Sequence, residues 1–205
     1  MVKDLSHLLS REAKGRLPSP LKSAFKYFGD ENIIFLGGGL PLADYFPWEK
    51  VIAYSPQPPF EDGIGAQPSV TGKAVISEVH KHNVEKFDIP LARSLQYGAA
   101  SGDAQLVDFI KEHTEMVHKV PYKDWDLVLT IGNTQAWDAC IRTFCDPGDS
   151  ILVEEYTFPS AMEGARSLGV NFVPIKMDAH GIIPSALDEL LANWDKSKPL
   201  PKLLY

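Results

Sequence analysis

Residues 126–160 read DLVLTIGNTQAWDACIRTFCDPGDSILVEEYTFPS. An apolar run, Leu127 to Ile131, turns through Gly132 into a helix from Thr134 to Phe144. The turn Asp146-Pro147-Gly148-Asp149 follows, and a second apolar run, Ile151 to Glu154, ends just before Tyr156 and Phe158. Backbone N–H groups at a helix N-terminus lack intrahelical partners and carry partial positive charge, so a turn of small and hydroxyl residues there can bind a phosphate. Gly132-Asn133-Thr134-Gln135 is such a turn. An Asn or Thr at this place can equally serve only as a helix cap. Phe158 stands just past a strand end, where ligands of open α/β sheets bind, and can face a planar ring or fill core volume.

Outward from this stretch the same alternation continues. A helix from Ser160 to Leu168 ends at Gly169, a strand from Val170 to Ile175 follows, and Pro184 opens a helix from Ser185 to Asn193. Leu203-Leu204-Tyr205 reads as the start of another strand. Upstream, Leu106, Phe109, Ile110 and Val117 follow helical spacing, and Asp103 stands near the N-terminus of that helix. Strands alternating with helices predict an α/β fold, a mainly parallel sheet with flanking helices.

Before Tyr97 the pattern is looser. Residues 1–48 read as an arm. In it Pro18 and Pro20 enforce extended backbone, a short helix runs from Pro20 through Phe25 and Tyr27, and Ile33–Leu36 stops at Gly37-Gly38-Gly39. Residues 49–96 form an irregular segment punctuated by prolines and glycines from 56 to 72, with Val75, Ile76 and Val79 marking a strand or short helix. Residues 97–205 carry the regular α/β pattern.

The composition narrows the function. With 27 acidic against 20 basic residues the net charge is -7, the wrong sign for a general nucleic-acid or anionic-membrane binder. Cys140 and Cys145 are read as reduced core residues, and the six histidines show no metal-ligand spacing, so no metal is expected. Gly-x-Gly-x-x-Gly, Walker and Gly-x-Ser-x-Gly motifs do not occur. No run has the length of a membrane span, and Asp4 and Glu12 weigh against a presequence, so the expected location is cytoplasmic.

Taken in order, PSPLK (18–22), FLGGGLPLADYFP (35–47), LQYGAASGDAQL (95–106) and the stretch from Leu129 to Ala161 resemble the fold-type I pyridoxal-phosphate aminotransferases. They are most similar to the fungal aromatic amino-acid enzymes and the related 2-aminoadipate (kynurenine) aminotransferases. The resemblance implies that residues 97–205 are an incomplete part of the cofactor-binding large domain, the chain being an N-terminal portion of the fold. It further implies that Asn133 and Thr134 hold the phosphate of pyridoxal 5'-phosphate and that Phe158 stacks on its ring. Tyr97 would bind the cofactor phosphate or the substrate of the neighbouring subunit's site in a homodimer, and Gly38, Gly39 and Leu40 would line the substrate side. Lys22 matches a position where relatives carry a substrate-contacting arginine; it keeps the charge without the bidentate fork.

The implied reaction moves an amino group from an aromatic amino acid or 2-aminoadipate to 2-oxoglutarate by way of pyridoxamine phosphate. The Schiff-base lysine of the family is expected beyond Tyr205, so no catalytic residue is assigned in these 205 residues, which are expected to be inactive alone. The alternatives are a non-catalytic fragment of this fold or an aminotransferase-like sensing domain.

Overall fold

The computed structural model describes residues 4–24, 27, 30, 32–82 and 84–205. Phe25, which the sequence reading places in a short helix, lies outside the described residues. In chain order the elements are α1 (Arg11–Gly15), α2 (Pro20–Ala24), β1 (Lys50–Pro56), α3 (Pro68–Thr71), β2 (Ala74–His80), α4 (Leu91–Ser94) and α5 (Ala104–His118). They continue with α6 (Gly132–Phe144), β3 (Ser150–Glu154), α7 (Pro159–Ser167), β4 (Asn171–Ile175), β5 (Met177–Asp178), β6 (Gly181–Ile182) and α8 (Pro184–Ala192). The chain divides into two compact units, residues 1–17 with 130–205, and residues 18–129.

The first unit is built on a parallel pair. β3 and β4 run side by side in register Ile151 with Phe172 and Val153 with Pro174. On the other edge of β3, Leu204 forms a parallel bridge to Leu152, whose N–H donates to the Leu203 carbonyl at 3.0 Å. β3 reads as an unbroken apolar run because Ile151, Leu152 and Val153 are all buried, as parallel strands covered on both faces require. Trp137, Ile141 and Phe144 recur at i, i+4 and i+7 on α6 and lay one helical face against this pair. With Cys145, Ala165 and Val170 they form the core, in which Ile141, Ile151 and Ala165 are at most 1% exposed. Full burial of the Ile141 and Ile151 side chains contributes roughly 1.5–3 kcal/mol each.

The N-terminal segment is latched to the far end of α6. Ser10, fully buried, donates its hydroxyl to the Arg142 carbonyl at 2.5 Å and accepts from the Ala13 N–H, while its own N–H donates to the Thr143 carbonyl. Lys202 Nζ donates to the Phe144 carbonyl at 2.8 Å and pairs with Asp149. The carbonyls that any helix leaves unpaired at its C-terminus are thus satisfied by side chains and by the arm.

In the second unit β1 and β2 form an antiparallel hairpin in register from Lys50 with His80 to Pro56 with Ala74. The sequence reading leaves residues 50–56 without a strand, because both faces of the hairpin are exposed and no polar-apolar alternation marks it. α5 begins as expected, with the Asp103 carboxylate accepting from the N–H groups of Gln105 and Leu106. Its apolar positions Leu106, Phe109 and Val117 remain exposed.

Two expectations are corrected. Leu127–Ile131 is not a paired strand; Leu129 N–H donates to the Ser101 carbonyl, and the run makes no ladder among the described residues. Apolar character alone does not make a strand without a neighbouring backbone to pair with. Cys140 is not a core residue: it is exposed, whereas Cys145 is buried.

Candidate active site

α6 starts where Gly132 takes a φ of +75°, a conformation that costs an L side chain free energy and glycine none. The N-cap residue Ile131 supplies no side-chain cap, its own N–H donates to Gln135 Oε1 at 3.2 Å, and the first turn holds no acidic residue. α7 starts at Pro159 directly after Phe158, again with no side-chain cap and no acid in its first turn. The two N-termini open on the same cavity of about 360 Å³, which Asn133 and Thr134 line from α6 and Phe158 and Ser160 from the start of α7. Two uncapped positive helix ends facing one space favour an anion. The volume falls within the range of small-molecule sites.

The remaining wall is aromatic and small. Trp137, Ala136, Cys140, Ala161 and Tyr205 complete the lining. Trp137 is fixed by its indole N–H donating to the Ala161 carbonyl at 3.0 Å and packs on Tyr205 at 4.7 Å between ring centroids. The sequence reading assigns none of these residues to the site. Trp137 and Cys140 follow Asn133 by four and seven positions, so helical spacing alone places them on the face that starts with Asn133.

Asn133, Thr134 and Phe158 therefore meet at one cavity. Tyr156 does not line that cavity; it lines a neighbouring open concavity, which Phe158 also borders, with Glu154, Glu155 and Thr157, whose Oγ1 is buried without a partner. Tyr97, Gly38, Gly39, Leu40 and Lys22 belong to the second unit. Tyr97 is exposed and lines a concavity of about 580 Å³ with Arg93, Gln96 and Asp103; Arg93 and Asp103 pair at 2.8 Å. Gly39 has a φ of +58°, where an L side chain is strained, and a Cβ on Gly38 would crowd the Phe35 ring at 3.0 Å. Lys22 lies in α2, exposed.

Burial, reinforced by Asp149, pushes the Cys145 thiol up to about 11. At the arm, the Arg11 N–H holds the Asp146 carboxyl below its usual range, and Arg16 does the same for Glu12. No group of three or more potential metal ligands occurs among the described residues, and no helix among them is long and apolar enough to cross a membrane. The residues of the cavity fit a phosphorylated planar ring: uncapped amides and the Thr134 hydroxyl for the phosphate, Phe158 for the ring.

Residues 63–205 match the family model described as aminotransferase class I and II. An aromatic amino acid aminotransferase of Schizosaccharomyces pombe is 41% identical over 99% of this chain and 43% of its own length. An L-tyrosine:2-oxoglutarate aminotransferase of Serpula lacrymans is 33% identical over 98% of this chain and 39% of its own. The crystal structure of aminotransferase Aro8 from Candida albicans superposes with a TM-score of 0.89 at 55% identity, over 99% of this chain and 42% of that one. The chain thus spans less than half the length of these relatives.

Proposed function

The chain belongs to the class I and II aminotransferases, and from that premise we propose that its protein transfers an amino group from an aromatic amino acid or 2-aminoadipate to 2-oxoglutarate, with pyridoxal 5'-phosphate as cofactor. The observation that carries this reading is the shared cavity of Asn133, Thr134 and Phe158 beneath two uncapped helix N-termini. When bound, pyridoxal phosphate supplies an aldehyde that takes up amino groups and a ring that draws electrons from the substrate.

The protein's own part in this half of the site is binding and orientation. The Asn133 and Thr134 amides and the Thr134 hydroxyl hold the phosphate dianion, and the α6 dipole favours its charge. Phe158 covers one ring face and lacks the hydroxyl that a tyrosine would add there. Trp137 and Tyr205 wall the cavity against water. Gly38, Gly39 and Leu40 line the substrate side, Lys22 offers a cation to a carboxylate, and Tyr97 serves the neighbouring subunit's site in a homodimer. Cytoplasmic residence is part of the same proposal, supported by Asp4 and Glu12, which weigh against a presequence.

The test is to purify the complete gene product with pyridoxal phosphate and measure glutamate formed from L-tyrosine and 2-oxoglutarate. Stoichiometric cofactor binding and glutamate production are expected. A product that binds no pyridoxal phosphate and forms no glutamate from any aromatic amino acid refutes the reading.

A further inference from the structure

Among the described residues the buried polar side chains are Ser10 and Lys81, and Lys81 is the one that carries charge. Lysine is rarely buried without a partner, because its ammonium loses hydration. Here the partners are two backbone carbonyls: Lys81 Nζ donates to Asp44 O and to Phe46 O, each at 2.8 Å. The Asp44 carboxylate turns away, toward His82 Nε2 at 3.5 Å. The cation is therefore used to hold main chain, not to neutralise an acid.

The backbone of Lys81 is held as firmly. Its N–H donates to the Glu49 carbonyl at 2.8 Å and its carbonyl accepts from the Ala92 N–H at 3.2 Å. Ala92 lies in α4, which leads through Leu95 and Gln96 into Tyr97. A second tie runs parallel to the first: Gln96 Nε2 donates to the Pro41 carbonyl at 2.8 Å. One side of this junction is thus the loop that continues from Gly38, Gly39 and Leu40, and the other is the segment that presents Tyr97.

We propose that Lys81 is a positioning residue: its ammonium pins the loop at Asp44–Phe46 so that the glycine turn is held in fixed register with Tyr97. This rests on the reading of Gly38–Leu40 as the substrate side. Without the pin, the loop loses both hydrogen bonds from Lys81 Nζ and keeps the exposed Gln96 tie and the Asp44–His82 contact, while the phosphate turn of α6 belongs to the other unit.

The experiment compares wild type, Lys81→Met, Lys81→Arg, Gln96→Ala and a core control, Ile151→Val, each in the complete gene product loaded with pyridoxal phosphate. KM for L-tyrosine, kcat, the Kd for pyridoxal phosphate, and hydrogen exchange across residues 38–46 are measured. Lys81→Met is expected to raise KM about tenfold or more and to speed exchange across 38–46 at least tenfold, with the cofactor Kd within twofold of wild type. Lys81→Arg, which can still donate to two carbonyls, keeps KM within about threefold.

A KM within twofold of wild type in Lys81→Met overturns the proposal, and so does an equal KM rise in Ile151→Val, which marks a merely structural role. Should Lys81→Met not fold, Gln96→Ala decides: a rise in KM of about threefold supports the junction, and none overturns it. If the wild type neither binds the cofactor nor transaminates, the functional reading has failed, and the exchange of 38–46 alone decides whether Lys81 pins the loop.

Discussion

Thr134→Val is the most informative change at the cavity. Valine keeps the shape and branching of threonine and removes its hydroxyl. Thr134 is exposed at the start of α6, where no side chain caps the helix, so folding stability is expected to change by no more than about 0.5 kcal/mol. A hydrogen bond from a hydroxyl to a charged group is worth about 1.5–3 kcal/mol. Loss of one such bond to a phosphate dianion raises Kd about 10- to 150-fold. The assay is calorimetric titration of the complete apoprotein with pyridoxal phosphate and, separately, with unphosphorylated pyridoxal. The loss should appear with the first ligand alone, and Thr134→Ser should recover most of it. An unchanged Kd for pyridoxal phosphate, or an equal loss for pyridoxal, refutes the assignment of Thr134 to the phosphate.

Four further outcomes are expected. Phe158→Ala, at a side chain 60% exposed and outside the core, should weaken pyridoxal phosphate binding about 2- to 12-fold by calorimetry, with Phe158→Tyr close to wild type. Alkylation at about pH 8 should label Cys140 in the native protein and spare Cys145 until urea unfolds it, as mass spectrometry of the peptides reads directly, and pyridoxal phosphate should slow labelling of Cys140. Ser10→Ala removes a buried cap and should cost about 0.5–2 kcal/mol in urea unfolding. The carboxyls of Glu12 and Asp146, lowered in the folded state, stabilise the arm fully above their ordinary values of 4.5 and 3.8, and this is lost as pH falls through the lowered ones. The urea midpoint should therefore fall from about pH 5 to about pH 3, less steeply in Asp146→Asn.

Particular residues explain what the sequence made legible. β3 was readable because burial on both faces writes an unbroken apolar run, and α6 because Trp137, Ile141 and Phe144 repeat at helical spacing. Leu127–Ile131 carries the same kind of run yet lacks a paired neighbour, a property that belongs to the fold and not to the segment. β1 was hidden for the opposite reason: a hairpin exposed on both faces leaves no period to read. That Asn133, Thr134 and Phe158 meet follows from chain order, since a helix start and the next strand end lie on one side of a parallel pair. Cysteine is usually buried, which by residue type places Cys140 in the core, whereas the helical face it shares with Trp137 brings it to the cavity. The bonds from Lys81 to carbonyls 37 and 35 residues upstream have no local signature.

The central claim is that the cavity under α6 and α7 holds pyridoxal phosphate, and a crystal structure of the complete gene product grown with that cofactor tests it most directly. The account predicts phosphate oxygens within about 3.2 Å of the Asn133 and Thr134 amides and the Thr134 hydroxyl, with the ring stacked on Phe158. Phosphate density elsewhere, with these groups facing solvent, contradicts it.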